Sequence, residues 1–210
     1  MNREGVLRWG GVASGGVLVL FGIAVIIMSL LGRGIVNDEL EQQKIVGTPD
    51  MSPTGIQPGI EAAGLEGVEP PDCDVAGKPI DSGPRARCFS EYMHIHALES
   101  SGGFVYAEMG MYKAKPGTPD DQLTPDGATS NPDWAQIDPE TQRPAENTAR
   151  NLWVTETALA TGLDVAYMSS LLVLFALIVG IALLLAGGGL LVFALGLLPP
   201  RRRKEDAAPG

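Results

Sequence analysis

The chain has 210 residues, enough for one or two small domains. It carries 15 Lys plus Arg against 25 Asp plus Glu, a formal net charge of −10. An acidic chain without basic patches repels phosphate backbones, so no nucleic-acid partner is expected. The charges are unevenly spread: none falls in the 24 residues 9–32 or in the 36 residues 165–200. Each run is long enough to cross a bilayer, which argues against a soluble globular protein.

Residues 1–8 form a short N-terminus containing Arg3 and Arg8. Residues 9–32 are the first predicted transmembrane helix. They read as an uncleaved anchor, because the apolar stretch exceeds a signal core and no A-x-A site follows. Residues 33–164 hold 9 basic and 22 acidic side chains, both cysteines, both histidines and most of the prolines. That segment is too short and loop-rich for a large core. Residues 34–44 are polar helix formers that extend the first span. Residues 47–72 contain Pro49, Pro53, Pro58, Pro70 and Pro71 and show no period, so a loop is predicted.

A helix is predicted near 84–99, with Asp81 or Ser82 capping it and Pro84 in its first turn. Ala86, Phe89, Met93 and Ala97 give it an apolar face, and Gly102–Gly103 stop it. Residues 104–112 read as a short helix or an irregular packed strip. Residues 115–144, with six prolines, form a second loop. A further helix is predicted at 147–164, with an apolar stripe of Leu152, Leu159, Leu163 and Ala166. It continues without a break into the second transmembrane helix, 165–198. That run is about 51 Å long at about 1.5 Å per residue. A hairpin at Gly187–Gly189 would leave too few residues to cross again. Gly162 and Gly187–Gly189 are the weakest points of this long helix. A basic tail, 199–210, follows, with Arg201, Arg202, Arg203 and Lys204.

The flanking charges set the expected topology. Both basic ends lie in the cytoplasm by the positive-inside rule, and the acidic segment lies outside. The predicted fold class is therefore a mainly α, multi-pass cell-membrane protein. Two antiparallel transmembrane helices would carry a small, loop-rich, disulfide-tied helical head outside.

Several strings resemble a known family: Asp-Glu-Leu and Gln-Lys-Ile within 38–45, Gly-Lys-Pro-Ile at 77–80, His-Ala-Leu-Glu-Ser-Ser-Gly-Gly at 96–103, Tyr-Ala-Glu-Met at 106–109 and Arg-Asn-Leu-Trp-Val-Thr-Glu-Thr-Ala-Leu at 150–159. Together they look like two-span actinobacterial membrane proteins of uncharacterised function. The resemblance covers most of the chain and includes the span order. Members often carry the label aromatic ring-opening dioxygenase, which implies a non-haem iron site in a soluble fold. The resemblance carries no residue roles to this sequence.

Cys73 and Cys88 are the only cysteines. Placed outside the cell they favour a disulfide, of about 3 kcal/mol by the chain-entropy argument. His94 and His96 lie about 200° apart on a helix and cannot share one ion. His94 shares a polar face with Arg87 and Glu91. His96, beside Phe89 and Met93, reads as a buried, hydrogen-bonded packing residue. Glu91-x-x-His94 matches half of a di-iron motif, but no second such pair exists. Glu91, His94 and His96 are thus weak metal candidates, and no metal or other cofactor is expected. Asp120, Asp121, Asp126 and Gly127 resemble calcium-loop fragments without the full pattern, and read as an acidic solvated loop.

Gly11-x-x-x-Gly15 and Ala182-x-x-x-Ala186 are small-residue pairs suited to close helix packing, either on each other or in a homo-oligomer. No catalytic constellation is visible, so no enzyme is expected. The expected role is structural or accessory in the cell envelope, acting through protein contacts beside the lipid bilayer. The alternative is an extracytoplasmic ligand- or metal-binding sensor subunit.

Overall fold

The structure, a computed structural model, describes residues 3–196. The basic tail at 199–210 and the helix end expected at Leu198 lie outside the described residues. Four α-helices make up most of the chain: α1 (Arg3–Gln42), α2 (Pro53–Ala62), α3 (Gly83–Ser101) and α4 (Thr148–Gly196). Three 3-10 turns, Tyr106–Glu108, Asp120–Gln122 and Pro132–Trp134, punctuate the long stretch before α4. Among the described residues there is no strand, only isolated β-bridges such as Tyr112 with Thr129 and Ile137 with Pro144. α1 and α4, of 40 and 49 residues, are each long and apolar enough to cross a membrane. The chain divides into two compact units, residues up to 34 with those from 171 onward, and residues 35–170.

The first unit is a helix pair held by glycine. Gly11 meets Ala194, Gly15 meets Gly187 and Leu191, Gly22 meets Gly180 and Leu184, and Gly32 meets Val173. Numbers rise on α1 as they fall on α4, so the helices run antiparallel. A Cβ at Gly22 would lie 2.8 Å from the Gly180 carbonyl oxygen, so here backbone rests on backbone. The seam has a period of seven: Gly15, Gly22 and Ser29 on α1, and Gly180, Gly187 and Ala194 on α4, all buried. A seven-residue repeat keeps one stripe of a helix against its neighbour. Ser29 satisfies its hydroxyl by donating to the Val25 carbonyl at 2.8 Å, within its own helix.

Gly11 and Gly15 therefore serve contact between α1 and α4, whereas Ala182 and Ala186 do not. Both alanines are exposed and lie off the line of Gly180, Gly187 and Ala194. The four-residue spacing picked out small residues, but the packing period here is seven.

The second unit folds around a compact apolar core. Tyr92, Met51, Ile56, Ile80 and Val75 are its largest fully buried members, with Leu40, Phe89, Ile95 and Leu163 around them. α2 corrects the loop expected at 47–72. Ser52 caps it, its hydroxyl oxygen accepting from the Gly55 amide at 3.1 Å, and Pro53 sits in the first turn. Pro58 lies inside the helix and weakens it locally. Ile56 and Ile60, one turn apart, are both buried, and that tertiary burial outweighs the local breakers.

α3 starts at Gly83, where an added Cβ would collide with the Ser170 side chain of α4. Ser82 is its N-cap but makes no side-chain capping bond, and Asp81 instead pairs with Arg85 through two contacts of 2.8 Å. Gly102 ends the helix in the left-handed region at φ +67°. The buried face of α3 is broader than the expected Ala86, Phe89, Met93, Ala97 stripe. It includes Tyr92 and Ile95, while Met93 is only half-buried. The Tyr92 hydroxyl donates to the Cys73 carbonyl at 2.7 Å.

Cys73 and Cys88 form a disulfide with their Cα atoms 6.0 Å apart, tying the loop before α3 to its second turn. α4 runs unbroken through Gly162 and Gly187–Gly189. Its buried residues in the second unit are Trp153, Glu156 and Leu163, while Leu152 faces outward. The expected stripe is thus rotated by one position at its start. The Trp153 indole N–H donates to the Phe104 carbonyl at 3.0 Å, which lets this large ring take the inner position.

Candidate functional site

α3 and α4 lie antiparallel in the second unit, joined by two charged contacts. Arg87 reaches Asp164 at 3.2 Å, and two turns further along α3 the His94 Nδ1 lies 3.7 Å from Glu156 Oε1. Between them, walled by the loop at 68–71, is a cleft of about 460 Å³. Its lining is rich in charged side chains. Glu69, Glu91, Glu156 and Asp164 supply four carboxylates against the single guanidinium of Arg87. Ile95 and Leu98 supply apolar wall.

Arg87 is committed on both sides, to Glu91 at 2.8 Å and to Asp164. Glu156 is different. Its side chain is only 5% exposed, and its Oε2 takes the hydroxyl of the adjacent Thr157 at 3.3 Å. His94 is half-exposed, and its ring stands edge-on to Trp153 with centroids 5.2 Å apart. The sequence places Glu156 with Glu146, Arg150 and Asp164 on a polar, water-facing side of the helix, whereas the structure buries it. A Glu one turn after a Trp and one turn before Ala160 on the same face was the available signal.

The three metal candidates do not converge. Glu91 is held by Arg87, His94 looks toward Glu156, and His96 points elsewhere, its Nε2 3.0 Å from Asp50 Oδ2. Among the described residues no group of three or more His, Cys, Asp or Glu is placed to hold an ion. His96 is half-buried and hydrogen-bonded. The Asp50 carboxyl is held below its ordinary range first by the Thr48 hydroxyl, with burial opposing and His96 assisting.

A second polar constellation closes the loop before α4. Asp126 Oδ1 accepts from the Thr124 hydroxyl at 2.6 Å and from the amides of Ala128 and Gly110 at 3.2 and 3.3 Å. Its Oδ2 accepts from Asn147 Nδ2 at 2.7 Å. Burial by itself would raise this carboxyl, but those hydrogen bonds prevail and its pKa is lowered. Asn147 also donates to the Gly110 carbonyl at 3.0 Å and caps α4 by accepting from the Ala149 amide. Gly110 is required there, since a Cβ would meet the Thr129 backbone and the Thr124 hydroxyl. Asp126 is thus a structural anchor with its acceptor positions filled by protein donors, while Asp120 and Asp121 stay exposed. The calcium-like fragment is a loop brace.

No protein-family model, curated protein or solved structure matches the chain.

Proposed function

We propose that the protein is a multi-pass cell-membrane protein of the envelope. In this reading α1 and α4 cross the bilayer antiparallel, both termini are cytoplasmic, and residues 33–164 form an extracytoplasmic head. Its role is structural or accessory, acting through protein contacts rather than catalysis. One observation carries the reading. The glycine seam uses the small residues of α1 and α4 on each other and leaves Leu20, Phe21, Met28, Leu172, Phe175 and Phe193 bare on the outer faces. Apolar surface of that extent is stable against lipid, not water. The disulfide of the head fits an oxidising compartment. The resemblance to two-span actinobacterial membrane proteins supports the same assignment. Ala182 and Ala186 stand on an exposed face open to a membrane or envelope partner, including a second copy.

Position 130, an exposed serine in the loop before α4, tests the topology. With Ser130→Cys, a membrane-impermeant maleimide is expected to label intact cells. Labelling that needs lysis would overturn the orientation. Cross-linking in the membrane followed by mass spectrometry tests the accessory role, which predicts a defined protein adduct.

A second reading, an extracytoplasmic ligand-binding subunit, is favoured by the acidic cleft around Glu156. Three carboxylates in excess of guanidinium line it, counting four against one.

A further inference from the structure

We propose that a groove between the C-terminal part of α1 and the facing stretch of α4 holds one acyl chain of a membrane lipid. The inference rests on the membrane reading and adds a bound lipid to it. The groove lies wholly within the second unit, lined by residues from 35–45 and 158–169. Its volume of about 420 Å³ is in the ordinary range for small-molecule sites.

Two independent observations point to an occupant. The first is Gly162, which lines the groove in the middle of α4. Glycine disfavours a helix interior relative to alanine. The seam glycines Gly15, Gly22, Gly180 and Gly187 are explained by backbone contact, but a Cβ at Gly162 would meet nothing within 4 Å. Among the described residues, then, no neighbour requires a glycine here. What its bare backbone does offer is room for close approach by a ligand. The second observation is continuity with the spans. Met28, Leu31 and Ile35 on α1 are exposed, and so are Val165, Met168 and Leu172 on α4. Spacings of three and four put each set on one helix face. Ile35 and Val165 line the groove. Each helix thus carries into the groove the same apolar stripe that the membrane reading gives to lipid.

The lining fixes the class of occupant. Among the described residues, Glu39 is its one charged side chain, and Gln43 and Ser169 are its other polar ones. With no cation in the lining, an anionic head group finds no partner, whereas an uncharged hydrocarbon chain loses nothing by entering. A second copy of the protein fits less well. Thirteen residues line the groove, and a stable protein interface takes about 20–30 residues a side. From Ile35 to Gln43 the groove follows α1 for about 12 Å at about 1.5 Å per residue, room for a length of chain rather than for a folded partner.

The test uses the full chain in phosphatidylcholine nanodiscs doped with phosphatidylcholine that carries a diazirine at the end of one acyl chain. After irradiation, digestion and mass spectrometry locate the lipid adducts. Adducts are expected in 35–45 and 158–166 as well as in the spans, 9–32 and 171–196. Gly162→Leu fills the groove where space is open, and should lower the adducts at 35–45 at least about tenfold while span adducts persist. Ala158→Leu, on another part of the lining, should lower them too and decides the matter if Gly162→Leu misfolds by circular dichroism. Gly16→Leu, also set in open space but outside the groove, should leave them unchanged. Span adducts with none in 35–45 or 158–166 would overturn the proposal and leave the membrane reading standing. Groove adducts indifferent to both filling variants would also overturn it. So would efficient bis-maleimide cross-linking of Gly162→Cys between two copies, which would make a second copy the occupant. No adducts anywhere would remove the membrane reading and the proposal with it.

Discussion

Single side chains in this protein are governed by how completely their polar atoms are matched. Asp126, partly withdrawn from water, is the fully matched case. Asp126 accepts from four donors and has a lowered pKa, so its contribution to stability is present above the unfolded carboxylate value, about 3.9, and is lost as pH falls through the lower folded value. Asp126→Asn should turn the Asn147 contact into an amide facing an amide. We expect it to lower the stability of the head by about 1–3 kcal/mol at neutral pH. The stability difference from wild type should shrink as pH is lowered below 4, because the wild-type carboxylate is then protonated too. Urea titrations at several pH values check this, and a constant difference down to acid pH would contradict it. Sequence reasoning took Asp126 for a solvated loop acid. Its partners Gly110 and Asn147 lie 16 and 21 positions away, and no local pattern announces contacts at such separations.

At the scale of elements, the contact between α1 and α4 depends on residues with no side chain to spare. Gly22 and Gly180 meet through backbone, so Gly22→Leu must separate the helices or distort them. We expect a loss of roughly 1–3 kcal/mol, the usual cost of overpacking. It would be read as a lowered thermal midpoint in detergent. Ala182→Leu, on the exposed side, serves as the control and should change the midpoint little. Equal effects from the two substitutions would mean that the seam does not hold the pair. The apolar lengths of both helices were legible in the sequence, since hydropathy is a local property. The heptad spacing of Gly15, Gly22 and Ser29 was also there to be read. What hid it was the excess of other glycines, which made a four-residue pair equally visible. α2 was hidden for the opposite reason: two prolines and two glycines within ten residues outweighed Ile56 and Ile60 in any local reading.

At the scale of the whole molecule, two compact units imply two separable stabilities. The disulfide belongs wholly to residues 35–170. Replacing both Cys73 and Cys88 with serine should therefore destabilise that unit by about 3 kcal/mol, as expected for a closed loop of this length. The α1–α4 seam should hold. Denaturation followed by hydrogen exchange reads both units at once; a matching loss of protection at Gly15–Ser29 would show that they unfold as one.

The sequence by itself determined the long apolar helices, their charge-free stretches, the disulfide pair and the helix stop at Gly102, because each rests on composition or on neighbours within a turn. Only the tertiary structure decided which small residues meet across the seam, that residues 53–62 become a helix, and that Trp153 and Glu156 rather than Leu152 face inward. Those outcomes depend on what another segment presents at the contact: a carbonyl for an indole, a core pocket for two isoleucines, a neighbouring glycine for a glycine. Such complementarity is a property of pairs far apart in the chain, and it exists only once the segments have met.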